Sequence, residues 1–216
     1  MLQQLPAVGI LLIAANVIAS LKGFKDDLFF DRFKFQIESI KNGEYRRFIG
    51  AGFLHVNTTH LLFNMITFYF FVSIVVDAIG SLSFLLLYFI SLLMGNFFAY
   101  LFHYKQPYYT AVGASGAVTG VLFSALLLYP NLELMLFFIP IPIPGYLFGI
   151  GYLLYTLYGM KAQNDSIGHT AHFGGAVGGI LVTLFFDFEV VFNSQLMLGV
   201  LTLTVLIAGF FLYRNK

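Results

Sequence analysis

The sequence predicts an all-α membrane protein, a polytopic helical bundle with a six-helix core and one further C-terminal transmembrane helix. Composition is the first reason. Of 216 residues, 59% are hydrophobic and only 10% charged, with a mean hydropathy of +0.87. A soluble domain averages about 25% charged residues, so this chain cannot keep its surface polar in water. The second reason is spacing, because apolar stretches of helix length recur seven times. Each is near the roughly 20 residues that a helix needs to cross the hydrocarbon core. The 27 Phe and 13 Tyr suit lipid-facing helices with rings at the interface.

Pro6 to about Leu21 forms the first span, at the short end of the range. A cleaved signal peptide is the rival reading, since Ile18-Ala19-Ser20 loosely resembles a cleavage site. No Lys or Arg precedes the stretch, which favours a retained span. From Lys22 to Thr59 the chain holds 7 of its 11 basic and 5 of its 10 acidic residues, interleaved with Phe24, Leu28, Phe29, Phe30, Phe33, Phe35, Ile37 and Ile40. That mixture predicts an interfacial, partly amphipathic loop. Further spans are expected at about 60–79, 82–103, 114–130, 145–160, 170–187 and 195–213. Pro140, Pro142 and Pro144 make an extended connector, because proline fixes φ and removes a donor. Asp187, Glu189, Asn193 and Ser194 set the last span apart from the core, about residues 5–187, within a single domain of residues 1–216.

Several function classes drop out. No Lys/Arg run has the density that nucleic-acid binding needs. The absence of cysteine removes thiolate metal sites and thiol nucleophiles. The glycines lie in apolar stretches and lack the lysine of a phosphate-binding loop. No cofactor and no metal is expected.

What the sequence does offer is a polar layer. His60 opens the second span, Ser115 the fourth, and His169 and His172 the sixth. Alternating spans start on the same membrane face, so these groups share a shallow depth on the side of the 22–59 loop. A serine hydroxyl is a weak nucleophile until a base takes its proton, and His172 is the candidate base. The start of the fourth span has free N–H groups at the positive helix end, suited to an oxyanion. His60 and Asn64, four apart on one helix face, are further donors. Gly116 and Gly120, like Gly175 and Gly179, are spaced four apart and let two backbones approach closely.

Other readings weigh against this. A Gly/Ser-rich stretch in a membrane helix more often packs than reacts. His55 and His103, without partners at fixed spacing, read as interfacial polar groups. His169 reads equally as a support for His172 or as solvent-facing. Asp77, Glu133 and Asp165 read as solvated loop charges. Asp187, fifteen residues beyond His172, is roughly 22 Å away at 1.5 Å per residue, so the constellation is a Ser–His dyad.

At these residues the sequence resembles the rhomboid family of intramembrane serine proteases. Gly113-Ala114-Ser115-Gly116 is similar to the family's Gly-x-Ser-Gly motif, and Ala171-His172 followed by Gly175 and Gly179 to its sixth-helix motif. His60 and Asn64 match its His-x-x-x-Asn pair. The resemblance implies a protease acting on other membrane proteins within or beside their transmembrane helices. Ser115 would be the nucleophile and His172 the general base; His60, Asn64 and the Ser115 backbone would form the oxyanion hole. Its partners would be transmembrane protein substrates and the bilayer. Two positions depart from the family. The tryptophan of its Trp-Arg pair is Arg46 here, beside Arg47, which leaves the loop's anchoring open. The often aromatic position one turn after the serine is Thr119, so something else must orient the histidine.

All 11 Lys and Arg lie on the loop face, which the positive-inside rule turns to the cytoplasm. The resemblance implies the opposite: a bacterial plasma membrane with the site facing the extracytoplasmic side. We follow the resemblance, because most of these charges sit in an interfacial loop beside acidic partners. A non-catalytic binder of transmembrane segments lacks the serine or the histidine, and both are present. A small transporter or channel predicts inverted repeats, and none is visible.

Overall fold

A computed structural model of the protein describes residues 5–136, 139–164 and 167–214; Asp165, read above as a loop charge, and Lys216 fall outside them. The chain is mostly helical. The helix α1 (Ala7–Gly23) leads into a loop with α2 (Asp27–Phe33), β1 (Phe35–Gln36), α3 (Ile37–Lys41) and α4 (Arg47–Gly50). Two long helices follow, α5 (Thr58–Ile79) and α6 (Ser81–Phe102). Next come β2 (Thr110–Ala111), α7 (Ser115–Leu128), β3 (Glu133–Leu136), β4 (Ile139–Pro144) and α8 (Gly145–Ala162). The chain ends in α9 (His169–Phe186), α10 (Val190–Asn193) and α11 (Gln195–Arg214).

Helices therefore occupy all seven apolar stretches. Among the described residues, three are long and apolar enough to cross a membrane: α5, α6 and α9. At 17 and 14 residues, α1 and α7 are shorter. The sequence expectation of an all-α chain needs one correction. Phe35–Gln36 pairs antiparallel with Thr110–Ala111, and Glu133–Leu136 with Ile139–Pro144. The proline connector is extended as expected, and it is also half of a hairpin. Its prolines recur every second residue, so their missing N–H groups fall on one edge of the strand.

Packing is centred on α9, which lies against both α6 and α7. A side chain at Gly175 would run into the Gly116 carbonyl, and one at Gly179 into the Gly120 backbone. One turn further on, Thr183 Oγ1 donates to Gly179 O and lies 2.7 Å from Ser124 Oγ, from which it can accept. The three pairs step by four residues on each helix with both numbers rising, so α7 and α9 run parallel, backbone to backbone. On the other side, Cβ atoms at Gly95 and Gly174 would come within 2.6 Å of the Ala171 and Met94 carbonyls. Small residues let dispersion contacts and close backbone approach hold these helices where lipid supplies no hydrophobic drive.

Around this seam, α1 docks on α5 and α6. Val8 and Leu12 enter the core with Val72, Phe68 and Tyr88. The Asn16 side-chain amide donates to Leu12 O and to the Tyr88 hydroxyl. At the other end of the chain α11 leans on α8, with Met197 Cε 3.0 Å from where a Gly149 Cβ would stand. Ser194 Oγ donates to Leu127 O at 2.7 Å, tying the start of α11 to the end of α7.

This seam makes a sharp prediction. Gly179→Val forces a branched side chain into the α7 backbone and should cost at least the 1–3 kcal/mol usual for overpacking, about. Gly151→Ala, with open space around it, should leave stability unchanged. Thermal unfolding in detergent compares the two, and equal midpoints would contradict the packing described.

Candidate functional site

The Gly-x-Ser-Gly stretch sits at the start of α7. Gly113 has φ of +136°, a conformation open to glycine and strained for other residues. A Cβ there would stand 2.7 Å from His60 Cε1, 3.1 Å from His60 Nε2 and 3.6 Å from Ser115 Oγ. The His60 ring and the Ser115 hydroxyl thus border the same small space, which glycine leaves empty. The backbone here is pinned from two sides. Gly113 N donates to Ala51 O at 2.9 Å, and β2, just upstream, pairs with β1. No side chain caps α7, so the N–H groups of its first turn stay available at the positive helix end.

His60 is set by its own helix start. Asn57 caps α5 by accepting from His60 N at 2.8 Å. Asn64 Nδ2 donates to His60 O at 2.9 Å and so spends one of its two N–H groups within the helix.

His172 is brought to the serine's level by the glycine seam. The preceding residue, Ala171, turns its carbonyl to Gly116, where a Cβ would be 3.2 Å away. Gly116 directly follows Ser115. The ring of His172 stacks on Tyr152 of α8, with centroids 6.0 Å apart and 29° between planes. The Tyr152 hydroxyl is in turn 3.1 Å from Thr119 Oγ1. The aromatic partner missing at position 119 is therefore supplied from a different helix, with Thr119 holding its far end.

Two of the remaining histidines differ from their sequence reading, and the third is resolved. His55 is fully buried within the protein and has partners that its sequence spacing did not show. Its Nδ1 lies 2.8 Å from Ser20 Oγ, and its Nε2 accepts from Ala114 N at 3.4 Å, immediately before the serine. Its ring meets His60 edge to face at 4.9 Å. Burial, then the neighbouring His60, lowers its pKa to about 3. His103 is buried too. It stacks flat on Tyr109 at 3.5 Å with Nδ1 2.8 Å from Gln106 Oε1, and burial lowers its pKa. His169 is buried beside Gly159 and Tyr155, with its ring 6.4 Å from that of His172. His103 and His169 line a cavity of about 230 Å³ between the ends of α6 and α8 and the start of α9.

The loop before the site is anchored by Arg47. Its guanidinium is buried and donates to Asp31 O at 2.6 Å, Lys34 O at 2.8 Å and Glu44 Oε2 at 2.8 Å. Tyr45 is largely exposed and Arg46 pairs with Glu44 at the surface. The anchoring left open by the missing tryptophan rests on Arg47. Sequence reasoning missed Tyr152 and the burial of His55. Only the latter left a trace, as a second histidine five residues before His60.

A helical membrane protein carrying a serine at one helix start and a histidine at the start of its close-packed neighbour is the class these elements define. Residues 42–187 match the Rhomboid domain, and the chain belongs to the rhomboid family. It is 29% identical over 185 residues to RHOMBOID-like protein 12, mitochondrial, of Arabidopsis thaliana, covering 78% of this chain and 54% of that protein. With Rhomboid protein 1, mitochondrial, of Saccharomyces cerevisiae it shares 30% identity over 137 residues, 62% of this chain and 39% of that one. With YdcA of Bacillus subtilis, named as a candidate rhomboid protease, it shares 39% over 83 residues, 38% of this chain and 40% of the relative. The chain thus spans about half the length, or less, of these relatives. Family membership and the three long apolar helices make it an integral membrane protein. The expectation of a bacterial plasma membrane gains no support here, since two of these relatives are named as mitochondrial.

The buried histidines predict a pH dependence of stability. His55 is neutral in the fold down to pH about 3 and in the unfolded chain titrates near 6.5. Between these values the unfolded chain binds the extra proton, so stability is full above pH 6.5 and falls as the pH drops toward 3. His103 acts in the same direction. The thermal midpoint in detergent should be flat from about pH 8 to 7 and fall between about pH 6.5 and 5. His55→Gln should lessen that slope. A slope unchanged by this substitution would contradict the burial of a neutral ring.

Proposed function

We propose that this protein is an intramembrane serine endopeptidase that uses a Ser115–His172 dyad on the transmembrane segments of other membrane proteins. The observation that carries the reading is the register of α7 against α9. The Gly116–Gly175 and Gly120–Gly179 contacts hold two parallel helix starts side by side, one bearing the hydroxyl and the other the imidazole. In the proposed topology α1, α5, α6, α7, α8 and α9 form a six-helix membrane core, α11 adds one further span, and the loop face is extracytoplasmic.

Chemically, Ser115 Oγ attacks the scissile carbonyl carbon while His172 takes its proton. The carbonyl oxygen becomes an oxyanion at the start of α7, where Ser115 N–H, the His60 ring and the remaining Asn64 N–H are the donors proposed for it. Collapse of this intermediate breaks the C–N bond, and His172 passes its proton to the leaving amine. A water, deprotonated by the same histidine, then hydrolyses the ester on Ser115 and restores the hydroxyl. The stack on Tyr152 fixes the plane of the imidazole through both proton transfers.

Two outcomes check this. In proteoliposomes with a panel of tagged single-span substrates, the wild-type chain should cleave at least one and Ser115→Ala none; cleavage by Ser115→Ala would contradict the assignment. Tyr152→Leu should lower kcat about five- to tenfold, the equivalent of an aromatic stack of about 1 kcal/mol. Tyr152→Phe, which keeps the ring, should retain most activity. Equal loss in both would point to the Thr119 contact rather than the stack.

A further inference from the structure

His55 is a buried histidine that the proposed chemistry does not use, and its hydrogen bonds define a single tautomer. Ser20 Oγ has one proton, and it goes to the Phe53 carbonyl at 3.0 Å. Ser20 Oγ can therefore only accept from His55, so Nδ1 at 2.8 Å carries a proton. At the other ring nitrogen, Ala114 N–H is a donor, so Nε2 must present its lone pair. Two independent partners thus require the same form, neutral with the proton on Nδ1. The result is a directed chain across three segments: Ala114 N–H to His55 Nε2, His55 Nδ1–H to Ser20 Oγ, and Ser20 O–H to Phe53 O.

This chain ends one residue before the serine. Ala114 is the residue from which α7 starts, with φ −72° and ψ −3°. It is fully buried and follows Gly113, which has a positive φ and whose missing Cβ leaves a space bordered by His60 and the Ser115 hydroxyl. With Ala114 N–H committed to His55, the first unspent N–H at the helix start is that of Ser115. The His55 ring also backs the His60 ring edge to face. His60 is the one other titratable side chain among the groups named around His55, since Ser20, Phe53 and Ala114 bring none.

We propose that His55 is a positioning residue for the proposed oxyanion site: from the base of α1 it holds the Ala114 amide and backs the His60 ring, so that Ser115 N–H and His60 face the same point. It touches no substrate and acts through these two neighbours. A side chain that keeps the contact with Ser20 but not that with Ala114 should lose turnover, whereas the converse should not. This rests on the endopeptidase reading of Ser115.

Two amides separate the contacts. In His55→Asn the amide nitrogen falls near the position of Nδ1 and can still donate to Ser20, with nothing reaching Ala114. In His55→Gln the amide oxygen reaches toward the position of Nε2 and can accept from Ala114 N–H, while the Ser20 contact is given up. With a tagged single-span substrate in proteoliposomes, His55→Asn should lower kcat about tenfold to a hundredfold, the scale of a small misplacement of reacting groups. KM should stay within about twofold. His55→Gln should keep kcat within about threefold of the wild type. Hydrogen–deuterium exchange of the peptide covering Ala114 reads the same contact without any turnover: it should rise in His55→Asn and not in His55→Gln. Losses of kcat that track thermal stability alike in both variants, or equal exchange in both, would overturn the proposal. A wild-type chain that cleaves nothing would refute the endopeptidase reading instead, and the exchange result alone would then decide whether His55 holds the Ala114 amide.

Discussion

The contact on which the rest depends is between two backbones. Along α7 and α9, Gly116 meets Gly175 and Gly120 meets Gly179, with the Ser124–Thr183 hydrogen bond closing the row. In lipid no water is released when two apolar helices meet, so the energy comes from dispersion and polar contacts at short range. Both fall off within an ångström or so, and any side chain in the seam would remove them. The seam also fixes register. A slip of one residue would rotate each helix by about 100° and drive side chains into the positions that the glycines leave open. Stability and the arrangement of the candidate site therefore rest on the same few glycines.

Around the seam, polar side chains do local work that the membrane forbids them to leave undone. Arg47 closes the loop on itself by donating to two carbonyls and a carboxylate. Asn16 ties α1 to Tyr88. His55 joins α1 to the residue before Ser115. Each satisfies backbone or hydroxyl groups that would otherwise be buried without partners, at a cost of about 1–3 kcal/mol apiece. The first loop is consequently a set of short helices and one strand, paired with β2, whose Phe35, Ile37, Ile40 and Ala51 form a small core with Ala99 of α6. It packs against α6 and against the segment that leads into α7.

Much of this was legible beforehand, for stated reasons. A helix of about 20 apolar residues announces itself by length, and all seven stretches are helical. The four-residue spacing of Gly116, Gly120, Gly175 and Gly179 announced the close approach of α7 and α9 that their backbones make. What stayed hidden depended on rotation and tertiary partners. Tyr152 looks like any other interfacial ring until the orientation of α8 turns it onto His172. The partners of His55, Ser20 and Ala114, lie on separate segments, and those of His103, Gln106 and Tyr109, follow it in an irregular connection where no helical spacing marks them. The β3–β4 hairpin was read only as extended, since prolines announce a backbone angle and not a pairing.

Whether Ser115 is a nucleophile activated by His172 is most directly measured by reaction with a fluorophosphonate, followed by mass mapping of the modified peptide. The account predicts one adduct, on Ser115, formed by the wild-type chain and largely lost in His172→Ala. An adduct elsewhere, or one that forms on Ser115 equally fast without the histidine, would contradict it.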